Sequence, residues 1–213
     1  MYLPKYFAEQ RVTVLHALIR AHPLAALVTR GEGGLDASHI PMEIDAQPAP
    51  YGTLRGHIAH ANSLWRDGTE GDGALAIFRG PDAYVSPDWY PSKREHGKVV
   101  PTWNYAVVHA HGALRFIEDR DWLRGLVERL TLRHEGGRPR PWQVDDAPAA
   151  FIEQLLGAIV GIEMRVTRLE GKWKASQNRP PADRNGVRDG LAGEAGRRPA
   201  ELDELVRKPT PAD

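Results

Sequence analysis

A mostly antiparallel β fold with peripheral helices, mainly β within the α+β class, is what this sequence predicts. Three observations carry that expectation. Six or seven runs of β character punctuate the chain, and most links between them are too short to hold a crossover helix. Helical spacing appears in only a few separated segments. The longest β run, KVVPTWNYAVVHAHG from Lys98 to Gly112, alternates residue types with the period of a strand.

Taken in order, Glu9 to Ala21 sets Val12, Leu15, Leu18 and Ile19 at helical spacing before Pro23 stops the pattern, which predicts an amphipathic first helix. Leu24–Thr29 and Leu35–Ile44, separated by the turn-rich Arg30–Gly34, predict a β-hairpin. Thr53–His60 is the next strand, and Asn62 is placed to cap a helical turn through Trp65. Ala74–Arg79 and Ala83–Ser86 are expected as two strands around Gly80–Pro81. The stretch SPDWYPSKREHG is polar and broken by proline, so a long loop is expected there, carrying Trp89, Tyr90, Lys93 and His96.

In the long β run, Pro101 has no N–H to give to a ladder and belongs at the start, at an edge or at a bulge. From Thr102 the side chains divide by parity. Thr102, Asn104, Ala106 and Val108 share one face, and Trp103, Tyr105, Val107 and His109 share the other. That division suits the wall of a site for a flat, polar-edged ligand and suits an aromatic sheet edge equally well. If it is a wall, only one of Trp103 and Asn104 can touch the ligand, and the other serves the core or a subunit contact.

The strand continues to Ile117, and Asp119 opens a helix with Trp122, Leu123, Leu126, Val127 and Leu130 on one face, ending near Arg133. A Pro-rich linker precedes a helix over Ala149–Ala158. A strand over Ile159–Leu169 follows, where Ile162, Met164 and Val166 alternate with Glu163, Arg165 and Thr167. Beyond Pro180, Gly, Ala, Arg, Asp and Glu dominate. Ala182–Leu191 and Ala200–Val206 are short helix candidates without strong apolar faces. One domain over residues 1–191 and a loosely ordered tail over 192–213 are expected.

Composition narrows the function classes. The 213 residues are 41% hydrophobic and 26% charged with net charge +0, so no global attraction to nucleic acid or anionic membrane is expected. The absence of cysteine removes disulfides, thiolate metal sites and cysteine nucleophiles together. The segment MYLPKYFAEQ lacks the pattern of a signal peptide, and no stretch is apolar enough to span a bilayer, which leads to a cytoplasmic expectation without a membrane partner.

The nine histidines invite a metal reading. His57 and His60 differ in parity, however, and no carboxylate stands in familiar ligand spacing beside them or beside His109 and His111, so no metal is predicted. The serines lack a G-x-S-x-G elbow, and neither G-x-G-x-x-G nor a P-loop occurs. A phosphate would have to be met by side chains. Arg55, His57, His60, Asn62 and Ser63, on one strand and its exit turn, form one such cluster; a solvated strand end is the plainer account of them. A second cluster is EGKWKASQNRP from Glu170 to Pro180, where Lys172, Lys174 and Arg179 surround Trp173 and Gln177. A charged strand end followed by a helix cap explains the same residues.

Several blocks of the chain combine into a resemblance. MYLPKYF, HPLAALVTRGEGGLDASHIPMEI, LRGHIAHANSLW, AYVSPDWYPSKREHGKVVPTWNYAVVHAHG and LEGKWKASQNRP, in this order, resemble the PaiB family of FMN-binding negative transcriptional regulators. The resemblance spans residues 1 to about 191. It implies an FMN-binding split β-barrel, similar to pyridoxamine-phosphate oxidase and the flavin reductases, working as a homodimer with FMN at the subunit interface. It implies that His39, Ile40 and Pro41 run along the flavin ring while His57, His60, Asn62 and Ser63 approach the ribityl phosphate. The partner subunit is expected to contribute Trp103, Asn104, Lys172, Gln177 and Arg179. A departure from the oxidases is that their basic pair near the phosphate is replaced here largely by His and Asn, which lowers the charge available to a dianion; haem is the alternative occupant.

The function so implied is an FMN-binding negative transcriptional regulator, or a redox or ligand sensor. The alternative is an FMN-dependent oxidoreductase or flavin reductase, with no catalytic residue assigned. No helix-turn-helix signal is present, and direct DNA contact is left open.

Overall fold

Burial alternates along the strands with the period of two that the sequence pattern predicts. The computed structural model describes residues 1–31, 33–67, 73–193 and 206. In chain order it has β1 (Ala8–Glu9), α1 (Val12–Ala21), β2 (Leu24–Gly31), β3 (Gly34–Asp45), β4 (Thr53–Ala59), α2 (Leu64–Asp67) and β5 (Gly73–Val85). These are followed by α3 (Ser92–His96), β6 (Thr102–Ile117), α4 (Arg120–Glu135), α5 (Ala149–Leu156), β7 (Ile159–Lys174) and α6 (Pro181–Gly193). The seven strands order as β1-β7-β4-β3-β2-β5-β6, and β7 also pairs with β6. β2 pairs antiparallel with β3 and β5, β3 with β4, and β7 with β1 and β4. No helix among the described residues is long and apolar enough to cross a membrane.

Two compact units divide the chain. The first comprises Met1–Ala21, Arg79–His109 and the chain from Glu170 onward; the second comprises His22–Phe78 and Ala110–Leu169. In the second unit Ile40, Met42, Ile44, Leu54, Ile162 and Met164 are buried between the strands. Leu123, Ile152 and Leu156 join α4 to α5 beside Val144. The side chain of Asp119 caps α4 by accepting from Trp122 N at 2.8 Å.

In the first unit Ala83, Val85, Tyr90, Ala175, Val187, Leu191 and Val206 form one apolar cluster. In the same unit, α1 buries Leu15, Leu18 and Ile19. Gly171 is matched to this packing, because a Cβ on it would run into Leu15.

Four elements differ from the sequence expectation. The two strands around Gly80–Pro81 are one continuous β5: the glycine serves close packing, since a Cβ there would lie 2.9 Å from Leu18 Cδ1, and no turn forms. The expected loop after Val85 holds a 3-10 turn over Pro87–Trp89 and α3. The Oγ of Ser86 accepts from Asp88 N at 3.2 Å, and Gly97 ends α3 at φ 69°. β7 runs on to Lys174, burying Gly171 and Trp173 on one face.

The fourth difference is α6, which docks through buried Asp183, Val187 and Leu191 although its sequence shows no strong apolar stripe. Gly186 and Gly190 allow this, because side chains there would collide with Trp89. Apart from Ala192, Gly193 and Val206, the expected tail and the helix candidate over Ala200–Val206 lie outside the described residues.

Candidate functional site

β3 changes partners at Pro41. Its residues 34–41 pair with β2, from Gly31↔Gly34 to Leu24↔Pro41, whereas its pairing with β4 begins only at Met42↔Gly56 and runs to Asp45↔Thr53. Beyond Gly56, β4 continues through His57, Ile58 and Ala59 paired to β7 alone. Two strand edges therefore part from each other at this point. The N–H of Met42 bonds Pro23 O at 2.9 Å, and a Cβ on Gly56 would lie 2.8 Å from Pro41 O, so the apex of the split is tight.

The residues expected from sequence to meet a flavin in this unit line the two lips of that split. His39 and Pro41 are exposed on β3 with Ile40 buried between them. His57, His60, Asn62 and Ser63 follow on β4 and its exit turn. Nδ1 of His57 is buried and has no hydrogen-bond partner among the described residues. Burial holds this imidazole below its ordinary pKa, so the ring is kept neutral.

At the exit turn, Asn62 Oδ1 accepts from Leu64 N at 2.9 Å, and Trp65 Nε1 donates to His60 O at 2.7 Å. The His60 and Trp65 ring centroids stand 4.6 Å apart, and Arg66 Cζ lies 5.4 Å from the Trp65 ring. Arg55, grouped with these residues from sequence, is engaged elsewhere, by Glu163 at 2.8 Å and Asp45 at 3.0 Å.

The remaining expected site residues belong to the first unit. Trp103 is 53% exposed and Asn104 is 1% exposed, so parity separates them as the sequence pattern requires. The Asn104 amide is bonded to Ser176. Gln177 closes the turn after β7, its Oε1 accepting from Ala175 N at 2.7 Å and its Nε2 donating to Trp173 O. Lys172 Nζ donates to Tyr2 O at 3.0 Å and stands 5.5 Å from the Tyr105 ring, and Arg179 Cζ is 5.0 Å from the Tyr90 ring. The structure thus groups the expected residues into two sets, one on each unit.

The sequence does not single out Tyr84, and it places Lys174 only within the basic cluster from Glu170 to Pro180. Both lie on the outward face of their strands, and the signal was available. Gly171, Trp173 and Ala175 alternate with Lys172 and Lys174, so the period of two runs past Leu169. At the exit turn the sequence predicts only the Asn62 cap of a helical turn through Trp65, and the packing of Trp65 and Arg66 beside His60 comes from the fold.

Comparison with known proteins adds the following. Residues 1–168 match the model of a family described as "Putative FMN-binding domain". The chain is 31% identical over 209 residues to the protease synthase and sporulation protein PAI 2 of Bacillus subtilis, covering 97% of this chain and 96% of that protein. It is 36% identical over 226 residues to an uncharacterised protein of Emericella nidulans, covering 90% of each. Among solved structures it is similar to a conserved hypothetical protein of Mycobacterium tuberculosis, with TM-score 0.60, 10% identity, and coverage of 84% of this chain and 94% of that one. The flavocytochrome Anf3 of Azotobacter vinelandii gives TM-score 0.58 at 16% identity, covering 79% of this chain and 69% of that one. An FAD and haem binding protein of Mycobacterium smegmatis gives 0.57 at 17% identity, covering 90% and 81%. At these identities the structural likeness is one of fold: a mostly antiparallel split β-barrel.

Proposed function

The chain belongs to the PaiB family of FMN-binding domains, and from that premise we propose that it binds FMN as a homodimer and acts as a negative transcriptional regulator responding to flavin occupancy or redox state. The observation that carries this reading is the split between β3 and β4. Beyond Met42↔Gly56 the two strands leave polar backbone edges that their mutual ladder does not use, beside a buried His57 Nδ1 that has no hydrogen-bond partner among the described residues. An unpaired buried polar group costs about 1–3 kcal/mol, so a flat ligand with a polar rim fits this position.

On this reading His39, Ile40 and Pro41 run along the ring from one lip. Neutral His57 pairs with the rim of the ligand, and His60, Asn62 and Ser63 approach the ribityl phosphate. A second copy of the chain brings Trp103, Lys172 and Arg179 to the same flavin, with Asn104 and Gln177 acting through the turn they hold. When bound, the flavin supplies a ring that accepts and returns electron pairs; the protein's part is to bind it, orient it and limit water around it. An imidazole at His60 in place of a permanent guanidinium makes the phosphate contact a weak one, consistent with a site that fills and empties.

Titration of the full chain with FMN tests the reading. Quenching of flavin fluorescence, a rise in melting temperature and a dimer by sedimentation are expected, with about 2.7 kcal/mol of added stability at a hundredfold excess over Kd. No quenching and no thermal shift would overturn flavin binding. Sustained NAD(P)H oxidation above a protein-free control would replace the regulator by the oxidoreductase.

A further inference from the structure

Strand register in the second unit gathers a cavity away from the split at Pro41. On β2, Val28 is paired with Leu75 of β5, and Arg30 is paired with Leu35 of β3. Cross-strand partners share a face, as do residues two apart on one strand, so Val28, Arg30, Leu35 and Leu75 stand together. β6 and β7 bring His111, Thr167 and Arg168 to the same place, and these side chains line a cavity of about 730 Å³. That volume lies in the usual range of small-molecule sites. Leu35 stands about 20 Å along β3 from Pro41.

The lining divides by chemistry. Val28 and Leu75 are half-buried and Leu35 is 73% exposed, which leaves aliphatic surface open to a ligand. β6 and β7 lie close together here, since a Cβ on Gly112 would come within 2.3 Å of Arg165 O. Thr167 Oγ1 donates to His111 O at 3.1 Å, and Arg168 Nη2 stands 3.1 Å from His111 Nδ1. A guanidinium has no acceptor, so Nδ1 accepts in this contact and the ring hydrogen sits on Nε2. Arg30 and Arg168 are the two permanent charges of the lining, and they come from strands that do not pair with each other. Among the described residues no carboxylate lines the cavity.

We infer that this cavity binds an organic monocarboxylate with an apolar body. The carboxylate accepts charge-assisted hydrogen bonds from the guanidinium groups of Arg30 and Arg168, whose planar forks match its geometry. The apolar body lies on Val28, Leu35 and Leu75 and leaves water there. A phosphate dianion suits the place less, because it must give up a larger hydration beside aliphatic walls. Flavin binding is no part of this inference: the reading above sets the ring along β3 at Pro41 and the phosphate at the exit turn of β4, and none of its residues lines this cavity.

Isothermal titration of the full-length chain with 2-naphthoate, its neutral counterpart 2-naphthalenemethanol, and acetate tests the site. 2-Naphthoate is expected to bind at least about tenfold more tightly than the alcohol, and acetate is expected not to bind. Arg30→Gln and Arg168→Gln should each weaken 2-naphthoate about tenfold, and Leu35→Asp, at an exposed position, should weaken it through like charge without disturbing the fold. 2-Naphthoate should bind equally well when the chain is saturated with FMN, and the three variants should leave FMN affinity unchanged. Failure of FMN to bind would overturn the flavin reading and leave the carboxylate result to stand by itself. No binding of 2-naphthoate, equal binding of acid and alcohol, equal binding of acetate, or indifference to all three variants would overturn the inference. Displacement of 2-naphthoate by FMN, with FMN weakened by the same variants, would also overturn it by giving the cavity to the flavin.

Discussion

Asn104 and Ser176 hold each other in a reciprocal pair. The Asn104 amide Nδ2 donates to Ser176 Oγ at 3.1 Å, and that hydroxyl donates back to Asn104 Oδ1 at 3.2 Å. The two residues are 1% and 4% exposed, and Ser176 adopts a left-handed backbone with φ 63°. Asparagine is thus placed to fasten the turn that follows β7, from which Gln177 and Arg179 extend.

Asn104→Ala should cost about 1–3 kcal/mol by urea denaturation, because it leaves the Ser176 hydroxyl buried without a partner. The double variant with Ser176→Ala should cost less than the two single changes added together, since it removes both members at once. Additive losses would show that the two side chains are not coupled.

Asp183 makes a second buried connection. Its carboxylate accepts from Ser92 N at 3.1 Å and from Ser92 Oγ at 2.8 Å, and Asp183 is 2% exposed. This ties the first turn of α6 to the start of α3. Asp183→Ala should destabilise by about 2–3 kcal/mol and speed hydrogen exchange in α6. Unchanged exchange in α6 would show that its packing on Trp89 suffices.

His57 sets a pH dependence whose sign follows from its burial. Its folded pKa is depressed below the ordinary value of 6.5. The unfolded chain therefore takes up a proton near that pH which the folded chain refuses until lower pH, and stability falls as pH drops through this window. Above the ordinary value the group contributes no slope. His57→Asn should flatten the fall in urea midpoint between about pH 7 and about pH 5. Parallel profiles for wild type and variant would assign the slope to other groups.

His60 is the position at which added charge should raise affinity for a phosphate. His60→Arg is expected to tighten FMN about tenfold without changing riboflavin, because a permanent guanidinium donates charge-assisted hydrogen bonds to phosphate. Equal tightening of both ligands would place the gain on the ring.

Gly56 lies at the apex of the split. Gly56→Ala would bring a Cβ to 2.8 Å from Pro41 O, backbone that cannot swing aside as a side chain tip can. A loss of FMN affinity larger than the loss of stability is expected, measured by titration and by melting. A variant that binds FMN as wild type does would remove the lips of the split from the site.

Much of the fold was legible in the chain. The period of two in β6 placed Asn104 inward and Trp103 outward, the apolar spacing of Val12, Leu15, Leu18 and Ile19 set α1, and Asp119 marked the start of α4. Those features depend on neighbours within a few residues, where local geometry and polarity decide. Gly80–Pro81 and the segment after Ser86 fold differently from the local expectation because glycine and proline mark a turn and a close approach with the same letters. By itself, then, the sequence determined a mainly β chain with a resemblance to FMN-binding domains, and that resemblance supplied the expectation of which residues meet a flavin. Only the tertiary structure decided that β3 leaves β4 at Pro41, that Arg55 is spent on Glu163 and Asp45, and that α6 docks through Asp183. Each of these depends on groups far apart in the chain, and no local pattern encodes which distant partner a strand edge, a guanidinium or a carboxylate will find.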